Sequence, residues 1–154
     1  VPELGDLSTR GYLSRPALSS DSEPLYALHK ATMLTYVEAI YGPWIDEVQL
    51  AMHHEWLERG DPQVVLRDDE LVAVVDWTWR EHDLYVGRIE VRPDLQGAGI
   101  GTMLLRRLAV VAAERSKPVV LEVIDVNPAR RLYERLGFAA FTTTGRKVHL
   151  RLDH

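Results

Sequence analysis

The chain has 154 residues, 46% of them hydrophobic and 27% charged, and a net charge of −5 from 18 Lys and Arg against 23 Asp and Glu. Such proportions fit one soluble globular domain over residues 1–154 that buries roughly two thirds of its unfolded surface, and the acidic balance speaks against a nucleic acid partner. The absence of cysteine excludes a disulfide framework, a thiolate nucleophile and cysteine-ligated zinc. With no apolar run long enough to span a bilayer and no basic-then-apolar leader, the expectation is a cytoplasmic protein away from membranes.

In chain order, residues 1–7 read as frayed, and Gly11–Ala17 as a first strand closed by Pro16. Ser20–Asp21–Ser22–Glu23–Pro24 opens a helix with a capping residue, early acid and a first-turn proline. Its inner stripe is expected at Leu25, Leu28, Ala31 or Thr32, Thr35 and Ala39, and it stops near Gly42–Pro43. A second helix covers Asp46–Glu58, with Val48, Met52 or Ala51, and Trp56 facing in; Gly60–Asp61–Pro62 ends it.

Gln63–Arg67 and Leu71–Trp79 flank the polar turn Asp68–Asp69–Glu70 and read as a hairpin. Leu84–Val91 is a strand that runs into a proline turn and then into Gly97, Gly99 and Gly101. From Gly99 to about Ser116 the sequence is an amphipathic helix with Ile100, Met103, Leu104, Leu108 and Val111 on one side. Pro118–Val123 is a β-branched run suited to a parallel strand after that helix. Asn127–Pro128 opens a short helix, Ala129–Leu136, closed by Gly137. Phe138–Thr143 and Lys147–Leu152 form a terminal hairpin, a surface that could pair across a homodimer.

The glycine segment is an anion cradle. Glycines admit close backbone approach, and the first N–H groups of the following helix have no partner within it, so they point at a phosphate with the helix dipole behind them. Charge follows the same division: residues 1–91 carry 7 Lys and Arg against 17 Asp and Glu, whereas residues 92–135 carry 8 against 5. A basic segment around the loop suits a polyanion, and the acidic remainder suits a cationic amine.

Neither familiar nucleotide loop fits. A P-loop requires Lys after its last glycine, but Gly101 is followed by Thr102 and Met103; the dinucleotide fingerprint requires glycine at position 102. Gln96–x–x–Gly99–x–Gly101 instead resembles the pyrophosphate loop of the GNAT superfamily, the acetyl-CoA-dependent N-acyltransferases, whose signature is Arg or Gln, two residues, Gly, one residue, Gly or Ala. Asn127–Pro128–Ala129–Arg130–Arg131–Leu132–Tyr133–Glu134–Arg135–Leu136–Gly137–Phe138 resembles that family's closing motif. Leu132–Tyr133 and Leu136–Gly137–Phe138 match well, while the interval from Asn127 to Tyr133 is six residues where the family has seven.

The resemblance implies an α+β fold in which a mixed, mostly antiparallel sheet of about seven strands is flanked by about four helices. It implies acetyl-CoA as co-substrate, held by Val91, Gln96, Gly97, Ala98, Gly99, Ile100, Gly101 and Thr102 with Asn127, Arg130 and Tyr133, and no metal. It also implies Tyr133 as the acid that serves the departing thiol, a role a phenol ionising near 10 can fill.

Two glutamates compete for the base. Glu90 interrupts Ile89–x–Val91 and Glu122 interrupts Leu121–x–Val123, and a carboxylate in so apolar a run is costly unless paired or functional. Acceptor recognition is expected from Tyr36, Tyr41, Trp44, Trp77, Trp79 and Tyr85, with Glu38, Asp46 and Asp76 available to an ammonium. The six histidines show no ligand spacing and read as surface residues; His53–His54–Glu55 lacks the second histidine of a zinc-protease helix. The expected activity is direct acetyl transfer to a primary amine of a small molecule or peptide. A protein-modifying enzyme and a non-catalytic acyl-CoA-sensing module stand as alternatives.

Overall fold

The computed structural model describes residues 4–154. Its strands are Leu13–Pro16 (β1), Gln63–Arg67 (β2), Glu70–Trp79 (β3), Leu84–Val91 (β4), Val119–Ile124 (β5), Ala139–Thr144 (β6) and Lys147–Leu152 (β7). Its helices are Ser22–Tyr41 (α1), Asp46–Arg59 (α2), Ile100–Glu114 (α3) and Ala129–Arg135 (α4). The seven strands form one sheet in the order β1-β2-β3-β4-β5-β7-β6. Every neighbouring pair is antiparallel except β4 and β5, which the crossover through α3 makes parallel. The mixed, mostly antiparallel architecture expected from the sequence is the one that forms.

β2 and β3 are buried on both faces, which explains their unbroken valine runs. Val65 and Val75 join Leu104, Leu105 and Leu108 of α3, while the adjacent Val64 and Val74 join Leu25 and Leu28 of α1. Each of these leucines, fully or almost fully buried, contributes about 1.5–3 kcal/mol of transfer free energy.

Three expectations are corrected. Leu4 and Leu7 are core residues at 0% and 3% exposure, so the described part of residues 1–7 is packed; residues 1–3 lie outside the described range. On α1 the buried stripe stops at Leu28: Ala31, Thr35 and Ala39 are exposed, and Ala31 and Thr35 line an open cleft instead of a core. On α2 the inner positions are Gln49, His53, Trp56 and Leu57, whereas Val48 and Met52 are exposed. The buried polar position His53 takes the place that an apolar count assigns to Met52, so the true stripe is offset by one residue.

Two irregularities of β4 position the site. The β3–β4 register slips between Asp76↔Arg88 and Trp77↔Val86, leaving Gly87 as an extra residue. A Cβ at Gly87 would collide with the Asp76 carboxylate, so only glycine fits this bulge. The slip reverses the alternation: Leu84 and Val86 face the α3 core before it, and Ile89 and Val91 face the same core after it. Arg88 and Glu90 are thereby turned to the α1 side; without the bulge Glu90 would point into leucines.

The second irregularity is that β4 and β5 pair only at Leu84–Val86 against Val119–Leu121. Beyond those residues each strand continues without the other. A gap opens through the sheet, and side chains from both faces reach it.

Candidate active site

The gap is part of a cleft of about 570 Å³ lined by the end of β4, the glycine loop, the start of α3, the outer half of α1, and α4. Of the residues singled out in the sequence, Glu90, Val91, Gln96, Gly97, Gly99, Ile100, Gly101, Thr102, Asn127 and Tyr133 all line it. Ala98 faces the opposite side of the loop, toward a smaller cavity with Arg10 and Arg67.

The loop presents an unpaired set of donors. Gly97 and Gly99 hold φ of 85° and 89°, a left-handed conformation that favours glycine. The first helical bond around α3 is Met103 N–H to the Gly99 carbonyl. Among the described residues the N–H groups of Gly97, Gly99, Ile100, Gly101 and Thr102 donate to no backbone acceptor outside that helix, and the last three precede its first internal partner. Five donors and a helix N-terminus converge on one mouth of the cleft, the arrangement that binds phosphate oxygens.

At the other end, Arg92 N–H donates to the Val72 carbonyl on β3. Successive amides of a strand point to opposite edges, so the Val91 N–H points into the gap where β5 has departed. The Val91 carbonyl, on that same edge, accepts from Gln96 Nε2 at 3.2 Å. Gln96 therefore ties the loop to the strand end that it follows.

Glu90 is 6% exposed, and His29 Nδ1 of α1 lies 2.7 Å from its Oε2. Its Oε1 is buried, lies 3.9 Å from Arg88 Nε and has no hydrogen-bond partner among the described residues. Arg88 is stacked on Trp56, its guanidinium carbon 3.8 Å from the ring centroid, and Trp56 Nε1 donates to Asp76. Burial draws Arg88 below the usual arginine range against the pull of Glu90 and Asp76. It raises Asp76, opposed by the Trp56 hydrogen bond and the Arg88 charge. Arg92, two residues further along the chain, pairs with Asp94 and Glu70 rather than with Glu90.

Tyr133 is 7% exposed and meets Phe138 edge to face at 6.1 Å. Burial, helped by the charge of Glu90, pushes its phenol from 10.0 to about 12. That lies ~3–4 units above an ordinary thiol, so the phenol is suited to donating a hydrogen bond rather than giving up its proton. A raised ionisation means tighter proton binding when folded. The associated stability, on the order of 2–3 kcal/mol, is intact below pH 10 and lost as pH rises through about 12. The urea midpoint of the wild type is expected to fall more steeply across that window than that of Tyr133→Phe.

Other sequence candidates lie elsewhere or, like Asn127, are engaged by a local hydrogen bond. Glu122 does not line the cleft; it is half-buried, 3.4 Å from His149 Nδ1 and 3.8 Å from Lys147 Nζ on β7. Asn127 uses Oδ1 to accept the Ala129 N–H at 2.9 Å, starting α4. Arg130 is paired with Glu134 at 2.5 Å, and Arg135 reaches the cleft in its place. Positions 128, 132 and 135 share one helical face, a signal that identifies Arg135.

Of the aromatic acceptor set only Tyr36 lines the cleft, beside Thr32 and Thr35. Trp44 is held by Tyr26 and Asp46, Trp77 and Trp79 pack on the core, and Tyr85 lies under Arg80. Glu38 accepts from Trp44 N–H, Asp46 pairs with Lys30, and Asp76 is half-buried and accepts from Trp56. Three histidines, His29, His53 and His149, depart from the expected surface placement. His29 is paired with Glu90 as described above, and His53, 2% exposed, bonds the Ser22 carbonyl through Nε2 at 2.9 Å and is held below its ordinary pKa by burial. Among the described residues no cluster of three metal-ligating side chains occurs, and no helix is long and apolar enough to cross a membrane.

Comparison with known proteins agrees with this geometry. The chain is 42% identical over 69 residues to streptothricin acetyltransferase of Streptomyces lavendulae, covering 44% of this chain and 36% of that protein. It is 36% identical over 62 residues to thialysine N-epsilon-acetyltransferase of Bos taurus, covering 39% of this chain and 36% of that protein. The chain thus matches little more than a third of the length of these curated relatives. The crystal structure of PaiA N-acetyltransferase from Thermoplasma acidophilum, a complex with coenzyme A, superposes with a TM-score of 0.73 at 15% identity, covering 93% of this chain and 99% of that one. The family profile described as Acetyltransferase (GNAT) family matches residues 25–138, and the chain belongs to that family.

Proposed function

We propose that this acetyltransferase transfers the acetyl group of acetyl-CoA directly to a primary amine of a small molecule. The observation that carries the reading is the placement of five free loop amides and the Val91 N–H along one cleft that Glu90 and Tyr133 also line. Residues Gly97–Thr102 would hold the pyrophosphate with Arg135 at the rim, and Val91 N–H would hold the thioester carbonyl as charge develops on it. Bound coenzyme A supplies the activated acetyl group and leaves as a thiol.

The chain's own residues do the remainder. Glu90 takes the proton that an ammonium acceptor must lose, through water, before nitrogen can attack. The Tyr133 hydroxyl donates to sulfur as negative charge develops there. No cysteine exists to carry the acetyl group, and direct transfer is the route these residues support. Small amines are preferred to proteins because the names of the two curated relatives favour that class, and Thr32, Thr35 and Tyr36 of α1 line the cleft opposite the loop.

The test is thiol release from acetyl-CoA in the presence of lysine, thialysine, short diamines and peptides with a free N-terminus. Release that depends on a small amine, with the acetylated amine seen by mass spectrometry, supports the reading. Transfer to peptides alone would reassign the acceptor, and binding of acetyl-CoA without amine-dependent release would leave a sensing module.

A further inference from the structure

We infer that the cavity behind the glycine loop is a phosphate-monoester site built on Arg10 and Arg67, with two sources for that group: the ribose phosphate of coenzyme A, or a free phosphate ester. The coenzyme source rests on the reading that acetyl-CoA occupies the cleft; the site itself does not. The cavity measures about 360 Å³, and its lining joins Thr9, Arg10, Tyr12 and Arg67 to Ala98 and Gly99 of the loop.

Local structure brings the two guanidinium groups to one space. Leu7, 3% exposed, anchors the segment in the core. Arg10 N–H donates to the Leu7 carbonyl at 3.1 Å, and Gly11, at φ of 81°, redirects the chain just after Arg10. The register Leu13↔Leu66 then sets Tyr12 opposite Arg67, and the Arg67 guanidinium carbon stands 5.7 Å from the Tyr12 ring centroid. Neither arginine has a carboxylate partner among the described residues, whereas Arg15, Arg59, Arg80, Arg130, Arg146 and Arg151 each have one at 2.5–2.7 Å. None of the residues lining the cavity is acidic. Nearby carboxylates are engaged or turned out: Asp6 accepts from Ser8 N–H, Glu70 and Asp94 hold Arg92, and Asp68 and Asp69 lie on the exposed turn after Arg67.

Such a donor set suits a phosphate monoester. At neutral pH that group carries close to two negative charges, and guanidinium forks bind its oxygens in pairs; the Thr9 and Tyr12 hydroxyls add donors. Gly99 and Ile100 line both this cavity and the cleft, so the two spaces lie on either side of one stretch of backbone, and Ala98 and Gly99 are exposed at its crest. Coenzyme A carries its third phosphate as a monoester on the ribose next to the diphosphate. Arg135 is the one cation among the residues lining the cleft, which leaves the charge of that third phosphate to be met elsewhere.

Calorimetry with coenzyme A and its 3′-dephospho form, on the wild type, Arg10→Gln, Arg67→Gln and the double variant, tests the first source. The wild type is expected to bind coenzyme A about 10-fold more tightly than the 3′-dephospho form. That preference should shrink as salt rises from about 50 to about 500 mM and disappear in the double variant, whose affinity for the 3′-dephospho form stays at the wild-type value. Both side chains are exposed, so the variants should unfold near the wild-type midpoint. The second source is tested by titrating glycerol 3-phosphate into wild type and double variant, with the Ala98 amide and, in the wild type, the arginine Nε–H signals followed by NMR. Equal binding of the two coenzyme forms, with saturable shifts at Arg10 and Arg67 and an Ala98 shift lost in the double variant, would assign the site to a free ester. Equal binding in every protein without those shifts, or a coenzyme preference that survives in the double variant without them, would overturn the site and leave two solvated arginines. Binding of neither coenzyme form by the wild type would overturn the cleft reading instead, and the glycerol 3-phosphate titration would then decide the site.

Discussion

If Glu90 is the base of the proposed function, replacing it with Gln should lower kcat by about 10²–10³-fold while leaving acetyl-CoA affinity within a factor of two or so, because a general base contributes roughly 10²–10⁴ to rate. Glutamine keeps the volume and one acceptor oxygen, so the environment of His29 and Arg88 survives with a hydrogen bond still available at 2.7 Å. What is lost is the ability to hold a proton. Turnover recovering above the ionisation of the acceptor ammonium would identify that proton as the missing quantity, and steady-state kinetics with isothermal titration of acetyl-CoA separate kcat from binding. A variant that binds the co-substrate tenfold more weakly at unchanged kcat would place Glu90 in binding instead.

The second large effect is expected in the loop. Gly99 precedes α3 at φ of 89°, where a β-branched side chain is a steric outlier. Gly99→Val must therefore move the peptide that aims the N–H groups of residues 99–102, and loss of several phosphate contacts at once should reduce acetyl-CoA affinity at least ~100-fold, about 2.7 kcal/mol. Gly101 is constrained differently: its φ is ordinary, but a Cβ there would come within 3.3 Å of Leu132 Cδ2 on α4. Gly101→Ala should weaken binding less than Gly99→Val, since Leu132 is a flexible side chain at the cleft wall and can yield. Thermal unfolding near the wild-type midpoint for both variants, with calorimetry ranking them in that order, is the expected result.

The loop was legible in the sequence because its chemistry is local: a strand, three glycines at alternate positions and a helix start suffice to define free amides. Most elements were legible for the same reason, since their periodicity is contained within a few turns. What escaped depended on long-range geometry. The stripe on α1 was extended past Leu28 because small residues such as Ala31 and Thr35 fit a core face and an open cleft wall equally well. On α2 the offset arose because a buried histidine at 53 carries no apolar signal.

The base was narrowed to two glutamates on matching strands, and neither periodicity nor burial cost separates them. The bulge at Gly87 gives the two different surroundings. An isolated glycine in a strand pattern is the available sign of such a slip, and it sends Glu90 toward α1 and His29. Glu122, on regularly paired β5, meets Lys147 and His149. The contact between residues 29 and 90 joins an early helix to a central strand, so it has no signature in either segment alone. Arg130 and Arg135 show a smaller version of this difficulty: both are cations on α4, and only the helical phase relative to Leu132 shows which one turns to the cleft.

The central claim is that the amides at Val91 and at Gly97–Thr102 receive acetyl-CoA. Titrating unlabelled acetyl-CoA into ¹⁵N-labelled protein, with backbone amide shifts followed by NMR, tests it directly. The account requires the largest changes at Val91, Gly97, Gly99, Ile100, Gly101 and Thr102, saturating together, with residues of β6 unmoved. Changes confined to the Arg10–Arg67 side of the loop, or no change at Val91 and the glycines at saturating acetyl-CoA, would contradict it.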